Sequence, residues 1–160
     1  MTATDAPADG TELKDDTALM IRRTFDADIH RLWKALTDPK AWMHWFGANI
    51  ATPQNTGADL RVGGRWFIEM KGNETGEGHS MGGEFTEVEA PNRVSFTWAW
   101  YSKPDAVSQV TYALRDIGDG RTTLTLTHER FASVELRDGH NRGWSGSMDN
   151  LAAYLAANPE

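Results

Sequence analysis

Hydrophobic positions in the first third of the chain follow first a short apolar run and then helical spacing. The run ALMIRRTF, residues 18–25, predicts a first strand. Four apolar residues come next at helical spacing: Ile29, Leu32, Trp33 and Leu36. This spacing predicts a helix whose N-cap is Asp26 or Asp28. Pro39 then opens a second short helix, which ends at Gly47.

From about residue 49 the hydrophobic positions alternate with polar ones, which is the period of a half-buried strand. The alternating stretches flank turn signals at Gly63-Gly64, Pro91-Asn92 and Gly118-Asp119-Gly120. The last signal separates two clear arms and predicts a β-hairpin. The region up to residue 129 therefore predicts about six antiparallel strands.

A long helix, roughly residues 134–157, is predicted to close the chain. One face of it carries His140, Trp144, Ser147, Met148, Leu151 and Leu155. Gly143 and Gly146 each cost roughly 1 kcal/mol relative to alanine inside a helix. Such a cost indicates that the sheet or a ligand approaches the helix closely. Tryptophan and methionine also leave a more adaptable surface than leucine does.

The predicted order of elements is β-α-α-β-β-β-β-β-β-α, which makes the fold class α+β. It lacks the βαβ alternation of a dinucleotide-binding sheet. A one-sided antiparallel sheet needs its apolar face covered, and the closing helix is the largest cover that the chain offers. We therefore expect a curved antiparallel sheet of about seven strands wrapped around a long C-terminal helix.

Length and charge narrow the organisation of the chain and the choice of partners. The 160 residues fit one domain, which we place at residues 18–157, after a flexible acidic tail at residues 1–17. The net charge of −7 argues against nucleic acid and against anionic membranes as partners. No apolar run approaches the ~20 residues that span a bilayer, and no signal peptide is visible. We therefore expect a cytoplasmic protein.

Five segments in this order resemble a known family: LWKALTDPKAWMHWFG, GGRWFIEM, RVSFTWAW, LTLTHERF and GWSGSMDNLAAYL. They resemble the activator of heat-shock-protein-90 ATPase homologue-like family. This family belongs to the START-related helix-grip superfamily of hydrophobic-ligand binders. The resemblance covers about residues 18–157. It implies a seven-stranded sheet wrapped around the last helix, with a cavity between them. It does not imply one function, because the superfamily combines this fold with many activities.

Large aromatic and polar side chains share the inward faces of the predicted strands and of the last helix. They either fill the core or line a cavity. The predicted cavity residues are Trp45, Trp66, His79, Met81, Trp98, Trp100, Tyr112, His128, His140, Trp144 and Met148. The alternation places His128 beyond two inward leucines, near the mouth of such a cavity.

Two histidines are the candidates for catalytic chemistry. His128 and His79 are the candidates for an acid–base group. The five histidines show no metal-ligand spacing, and the absence of cysteine excludes thiolate chemistry, so we predict no metal and no cofactor. The motif GWSGS lies inside a predicted helix, whereas a nucleophile elbow needs a strand before its serine.

Three functions remain open at this point. The leading one is a binding protein for a small, mostly apolar molecule held between sheet and helix. The second is a cyclase, dehydratase or hydrolase that uses the same cavity with a histidine as acid–base group. The third is a protein-interaction module of co-chaperone type, for which a homodimer is possible.

Overall fold

A computed structural model describes residues 9–47 and 51–158. It contains eight strands: β1 Gly10–Asp15, β2 Ala18–Phe25, β3 Ala51–Ala58, β4 Arg65–Gly72, β5 Gly78–Glu89, β6 Arg93–Trp100, β7 Ser108–Gly118 and β8 Arg121–Glu129. Its helices are α1 Ile29–Thr37, α2 Pro39–Trp45 and α3 Val134–Ala157. All neighbouring strands are antiparallel, in the order β1-β2-β8-β7-β6-β5-β4-β3. The predicted α+β helix-grip fold is confirmed.

Local sequence signals explain where the helices begin. Asp28, one of the two predicted N-caps, accepts hydrogen bonds from the backbone N–H groups of His30 and Arg31. Asp38 caps α2 in the same way, with Pro39 in the first turn, where its missing N–H costs nothing. Ser133 accepts from the backbone N–H of Leu136 and opens α3.

The eighth strand is a departure from the sequence analysis. Residues 10–15, assigned there to a flexible tail, form β1 and pair with β2 at the edge of the sheet. Every residue of β1 is exposed, so the strand is held by backbone pairing and leaves no hydrophobic pattern to detect. The first eight residues of that predicted tail lie outside the described residues.

A second departure concerns the strands around Gly63-Gly64. The first of them, β3, already ends at Ala58, and residues 59–64 form a tight turn. The backbone N–H of Gly64 donates to the carbonyl of Arg61, and a Cβ on Gly64 would lie 2.0 Å from the carbonyl oxygen of Asp59. The turn that joins β3 to β4 therefore requires both glycines, since Gly63 has a φ of 87° and Gly64 has no room for a side chain.

The inner face of the sheet shares one buried hydrophobic cluster with all three helices. Leu126 of β8, Leu32 of α1 and Leu151 of α3 are each fully buried in it. Strand register places His128 opposite Leu19 of β2 and Val110 of β7, inside this cluster. The sheet therefore packs closely against the C-terminal half of α3, and the candidate site lies beside the N-terminal half of this helix.

Candidate functional site

A cavity of about 390 Å³ lies between α3 and the sheet and is partly open to solvent. The helix contributes seven lining residues: Glu135, Leu136, Gly139, His140, Gly143, Trp144 and Ser147. The segment after α2 contributes Phe46 and Gly47, and strands β3 to β6 contribute Ala51, Met70, His79, Trp98 and Trp100. A space of this size falls in the range of clefts that enclose small organic molecules.

The helix side of the cavity is made by small residues at four-residue intervals, Gly139, Gly143 and Ser147. Residues four apart lie on the same face of a helix, so the three form one row. A Cβ on Gly143 would meet no heavy atom within 4 Å, and one on Gly139 would meet only the guanidinium of Arg142, at 3.8 Å. Gly143 therefore borders open space, and close approach of the sheet does not explain why a glycine stands at this position of the helix.

Aromatic rings from β6, from the segment after α2 and from α3 also line the cavity. Trp98 lies among them, with its ring 5.8 Å from Phe46, 5.6 Å from Trp144 and 6.0 Å from Trp100. These separations fall within the range of stacked and edge-to-face aromatic pairs. The indole N–H of Trp98 is buried and has no acceptor among the described residues. The rings therefore pack against one another and give the cavity an apolar lining.

His140 is the imidazole on the helix side of the cavity. Its Nε2 accepts a hydrogen bond of 3.0 Å from the indole N–H of Trp100. Because Nε2 accepts, the proton of the neutral ring is on Nδ1. Burial lowers the pKa of His140 to about 4, since the charged form would lose its hydration. His140 is therefore a neutral polar group at neutral pH.

His128 does not line the cavity, although the sequence analysis placed it near the mouth. Its Nδ1 accepts from the indole N–H of Trp144 at 3.0 Å, and its Nε2 lies 2.7 Å from the Ser108 hydroxyl oxygen. Nε2 therefore carries the proton and donates it to Ser108, whose hydroxyl donates to the Trp98 carbonyl.

Burial, and secondarily the nearby His140, lower the pKa of His128 well below its ordinary value. The ring is fully buried, and both of its nitrogens are engaged with protein groups. A general acid or base must reach the atom that exchanges the proton. The structure therefore gives no support to His128 as an acid–base group; it ties β8 to α3 instead.

The other predicted cavity residues divide into three groups. His79, Trp98, Trp100, His140 and Trp144 come together around the cavity, with His79 exposed at its edge. Met81 and Met148 are fully buried, and neither lines the cavity.

Three further predicted residues, Trp45, Trp66 and Tyr112, border a separate internal void of about 20 Å³. The indole N–H groups of Trp45 and Trp66 donate to the backbone carbonyls of Ala35 and Thr97. These side chains therefore belong to the packed core. The alternation along a strand indicates which side chains point inward. It does not indicate which of these side chains are packed in the core and which border a cavity.

Several lining residues were missed in the sequence: Ala51, Met70, Glu135, Leu136 and Gly139. Gly139 precedes Gly143 by four residues and Ser147 by eight, so the row of small residues was visible as a signal. Ala51 and Met70 gave no such signal, because a small or flexible side chain on a strand fits a filled core equally well.

Two further findings apply to the part of the chain that the structure describes. No three His, Asp or Glu side chains there gather closely enough to hold a metal ion. Within residues 9–47 and 51–158, no helix is long and apolar enough to cross a membrane.

Known proteins resemble this chain over most of its length. A crystal structure from Silicibacter pomeroyi is 29% identical, with 88% of this chain and 98% of that one covered and a TM-score of 0.77. One from Mycobacterium smegmatis is 27% identical, covering 93% and 97%, with a TM-score of 0.77. One from Rhodobacter sphaeroides is 25% identical, covering 93% and 99%, with a TM-score of 0.79. No curated protein matches the chain.

The family comparison agrees with the fold. Residues 26–156 match the family described as Activator of Hsp90 ATPase homolog 1-like protein. The match runs from just before α1 almost to the end of α3, so it includes strands β3 to β8, the three helices and all described cavity residues, whereas β1 and β2 precede it. This membership supports a ligand-binding helix-grip domain. The chain belongs to the Activator of Hsp90 ATPase homolog 1-like family.

Proposed function

We propose that this protein binds a small, mostly apolar molecule in the cavity between α3 and strands β3 to β6. One observation carries the proposal: Gly139 and Gly143 face the cavity where side chains would fit. A helix in a filled core gains from larger apolar residues at such positions, because close packing is the rule in protein interiors. A row of glycines that leaves space open is consistent with an occupant.

Apolar contact would provide most of the binding free energy. Removal of ligand and wall surface from water contributes about 25 cal/mol per Å². Polar groups at the wall would orient the ligand: the Ser147 hydroxyl, which accepts from the Gly47 backbone N–H at 3.3 Å, and His140. A few polar groups in an apolar wall are typical of small-molecule sites.

Binding fits this arrangement better than acid–base catalysis does. A catalytic base works best with a pKa near the working pH, whereas burial holds the pKa of His140 at about 4. Its Nε2 is also occupied by the Trp100 indole. The remaining imidazole at the cavity, His79, is exposed at its edge.

Native mass spectrometry of gently purified protein tests the proposal. We expect a retained small molecule that is released on denaturation. A variant with both Gly139→Leu and Gly143→Leu should lose that mass, because the new side chains fill the cavity. The matched control adds the same two side chains to the exposed face of α3, with Ala153→Leu and Ala156→Leu.

Thermal unfolding with a panel of apolar compounds provides the second measurement. Compounds that bind the folded state raise its melting temperature. We expect such shifts for the unaltered chain and the control, and none for the filled variant. A clean apo mass together with no thermal shift in the unaltered chain would contradict the proposal and favour an interaction role.

A further inference from the structure

We infer that the molecule held in this cavity is uncharged, so that carboxylic acids and amines of the same shape are excluded. This inference rests on the proposed function and specifies the chemical class of the ligand. It comes from the charges that the wall carries and from those that it lacks.

Among the described residues that line the cavity, none is lysine or arginine, and Glu135 is the only acid. Glu135 is exposed, so its carboxylate stays in water at the edge. Deeper in, the polar groups belong to His140, Ser147 and Trp98, whose indole N–H has no acceptor among the described residues, and His140 is neutral because of its burial. The interior of the cavity therefore offers dipoles but no ionic partner.

Two cations lie behind one wall of the cavity. Lys103 and Arg130 border a separate void of about 20 Å³. The residues that line both spaces are Trp98, Trp100, Leu136 and His140, which form the partition between them. Two of these four residues, Trp100 and His140, are joined by a hydrogen bond.

The guanidinium of Arg142 lies at the edge of the cavity, 3.8 Å from the position that a Gly139 Cβ would take. Glu135 and Arg142 are four residues before and three residues after Gly139, so both lie beside it on the helix surface. Their opposite charges offset each other. A carboxylate ligand would meet Glu135, and an ammonium ligand would meet Arg142.

A charged ligand must therefore either bury its charge unpaired or remain at an edge that is neutral overall. Burial of an unpaired charge is strongly unfavourable, and an exposed ion pair contributes little to the free energy of binding. An uncharged ligand avoids both costs and can still accept a hydrogen bond from the wall. Selection against charge thus follows from the composition of the wall.

Three naphthalenes of similar size test the inference: the methyl ketone 2-acetylnaphthalene, the anion 2-naphthoate and the cation 2-naphthylmethylammonium. Their dissociation constants at pH 7.5 can be measured by calorimetry or by quenching of tryptophan fluorescence. We expect the ketone to bind at least ~10-fold more tightly than either ion, because burial of an unpaired charge costs more than about 1.4 kcal/mol, which is the free energy of a tenfold change in dissociation constant. An ion that binds as tightly as the ketone would overturn the inference.

A charge reversal at the edge sharpens the test. Glu135→Lys should strengthen naphthoate binding several-fold and leave the ketone unchanged. Glu84→Lys is the matched control, because Glu84 is exposed on β5 and does not line the cavity. Equal gains for naphthoate in the two variants would overturn the inference, since net charge and not the cavity wall would then set the selection.

The filled variant, Gly139→Leu with Gly143→Leu, separates the two proposals. Tight naphthoate binding that disappears in this variant would refute the uncharged class and leave ligand binding in the cavity intact. Failure of all three probes, or binding that survives filling, would count against the proposed function and this inference together. Circular dichroism and the melting temperature show whether the filled variant is folded.

Discussion

The two halves of α3 face the same sheet and behave in opposite ways. In the C-terminal half, Met148 and Leu151 are fully buried and Leu155 is 5% exposed. In the N-terminal half, Leu136, Gly139 and Gly143 are only half-buried beside a cavity of about 390 Å³. One helix therefore closes the core at one end and leaves it open at the other.

The difference comes from side-chain volume and not from a change of helix geometry. The stripe that faces the sheet continues at helical spacing through both halves, but its bulk falls to glycine at residues 139 and 143. The aromatic rings on β6 contact His140 and Trp144 of α3 but do not fill the space beside the two glycines. Stability resides in one half of the helix, and the proposed binding resides in the other.

Truncation in the filled half should have the largest effect. Leu151→Ala removes a fully buried side chain and leaves a void, so we expect a loss of about 2–5 kcal/mol in the free energy of unfolding. Leu136→Ala, in the open half, should cost about 1 kcal/mol or less, because its side chain is half-buried beside existing space. Urea unfolding measures both. Equal losses would remove the contrast between the two halves.

Acid should lower the free energy of unfolding, because His140 and His128 are both buried imidazoles. An unfolded histidine has a pKa of about 6.5, whereas burial lowers that of folded His140 to about 4. Between these values the unfolded chain binds a proton that the folded chain does not, so stability falls as the pH drops. The shift corresponds to a loss of about 3 kcal/mol between pH 6.5 and pH 4.

Denaturant unfolding from pH 7 to pH 4 measures this loss. His128 changes stability in the same direction, because its pKa is also lowered by burial. His140→Gln keeps an acceptor for the Trp100 indole and removes the titrating group, so the slope should become smaller. An unchanged slope in this variant would show that His140 is not the group responsible.

The sequence predicted the order of elements well, because each long element carries a repeated signal. The hairpin at Gly118-Asp119-Gly120 and the Pro39 start of α2 are local and appear where expected. β1 was missed because a strand with every side chain exposed has no hydrophobic period. Backbone pairing at a sheet edge leaves almost no trace in the residue pattern.

The cavity itself was harder to predict than the sheet around it. Inward parity identified Trp66 and Trp98 equally, yet Trp98 lines the cavity and Trp66 packs in the core. Which tryptophan borders open space depends on the α3 residues that lie opposite it. A single sequence does not show which residues of the sheet and of α3 lie opposite each other. His128 shows the same limit, since its partners Ser108 and Trp144 come from two distant elements.

Loss of an indole N–H should matter more in the packed region than at the cavity. Trp144→Phe leaves the buried Nδ1 of His128 without its donor, which should cost about 1–3 kcal/mol in the free energy of unfolding. Trp100→Phe removes the matching bond to His140, which water in the cavity can replace, so its cost should be smaller. Urea unfolding compares them, and a larger loss for Trp100→Phe would reverse the ranking.

The smallest change addresses the open half directly. Gly143→Ala places a methyl group where no heavy atom lies within 4 Å, and alanine favours a helix over glycine by about 1 kcal/mol. We therefore expect the free energy of unfolding to rise by about 0.5–1 kcal/mol, as measured with urea in ligand-free protein. A drop in stability would mean that the methyl group meets something, and the open half would then be packed in solution. A rise would mean that the chain keeps glycine at the expense of its own stability, which is reasonable only where the space has a use.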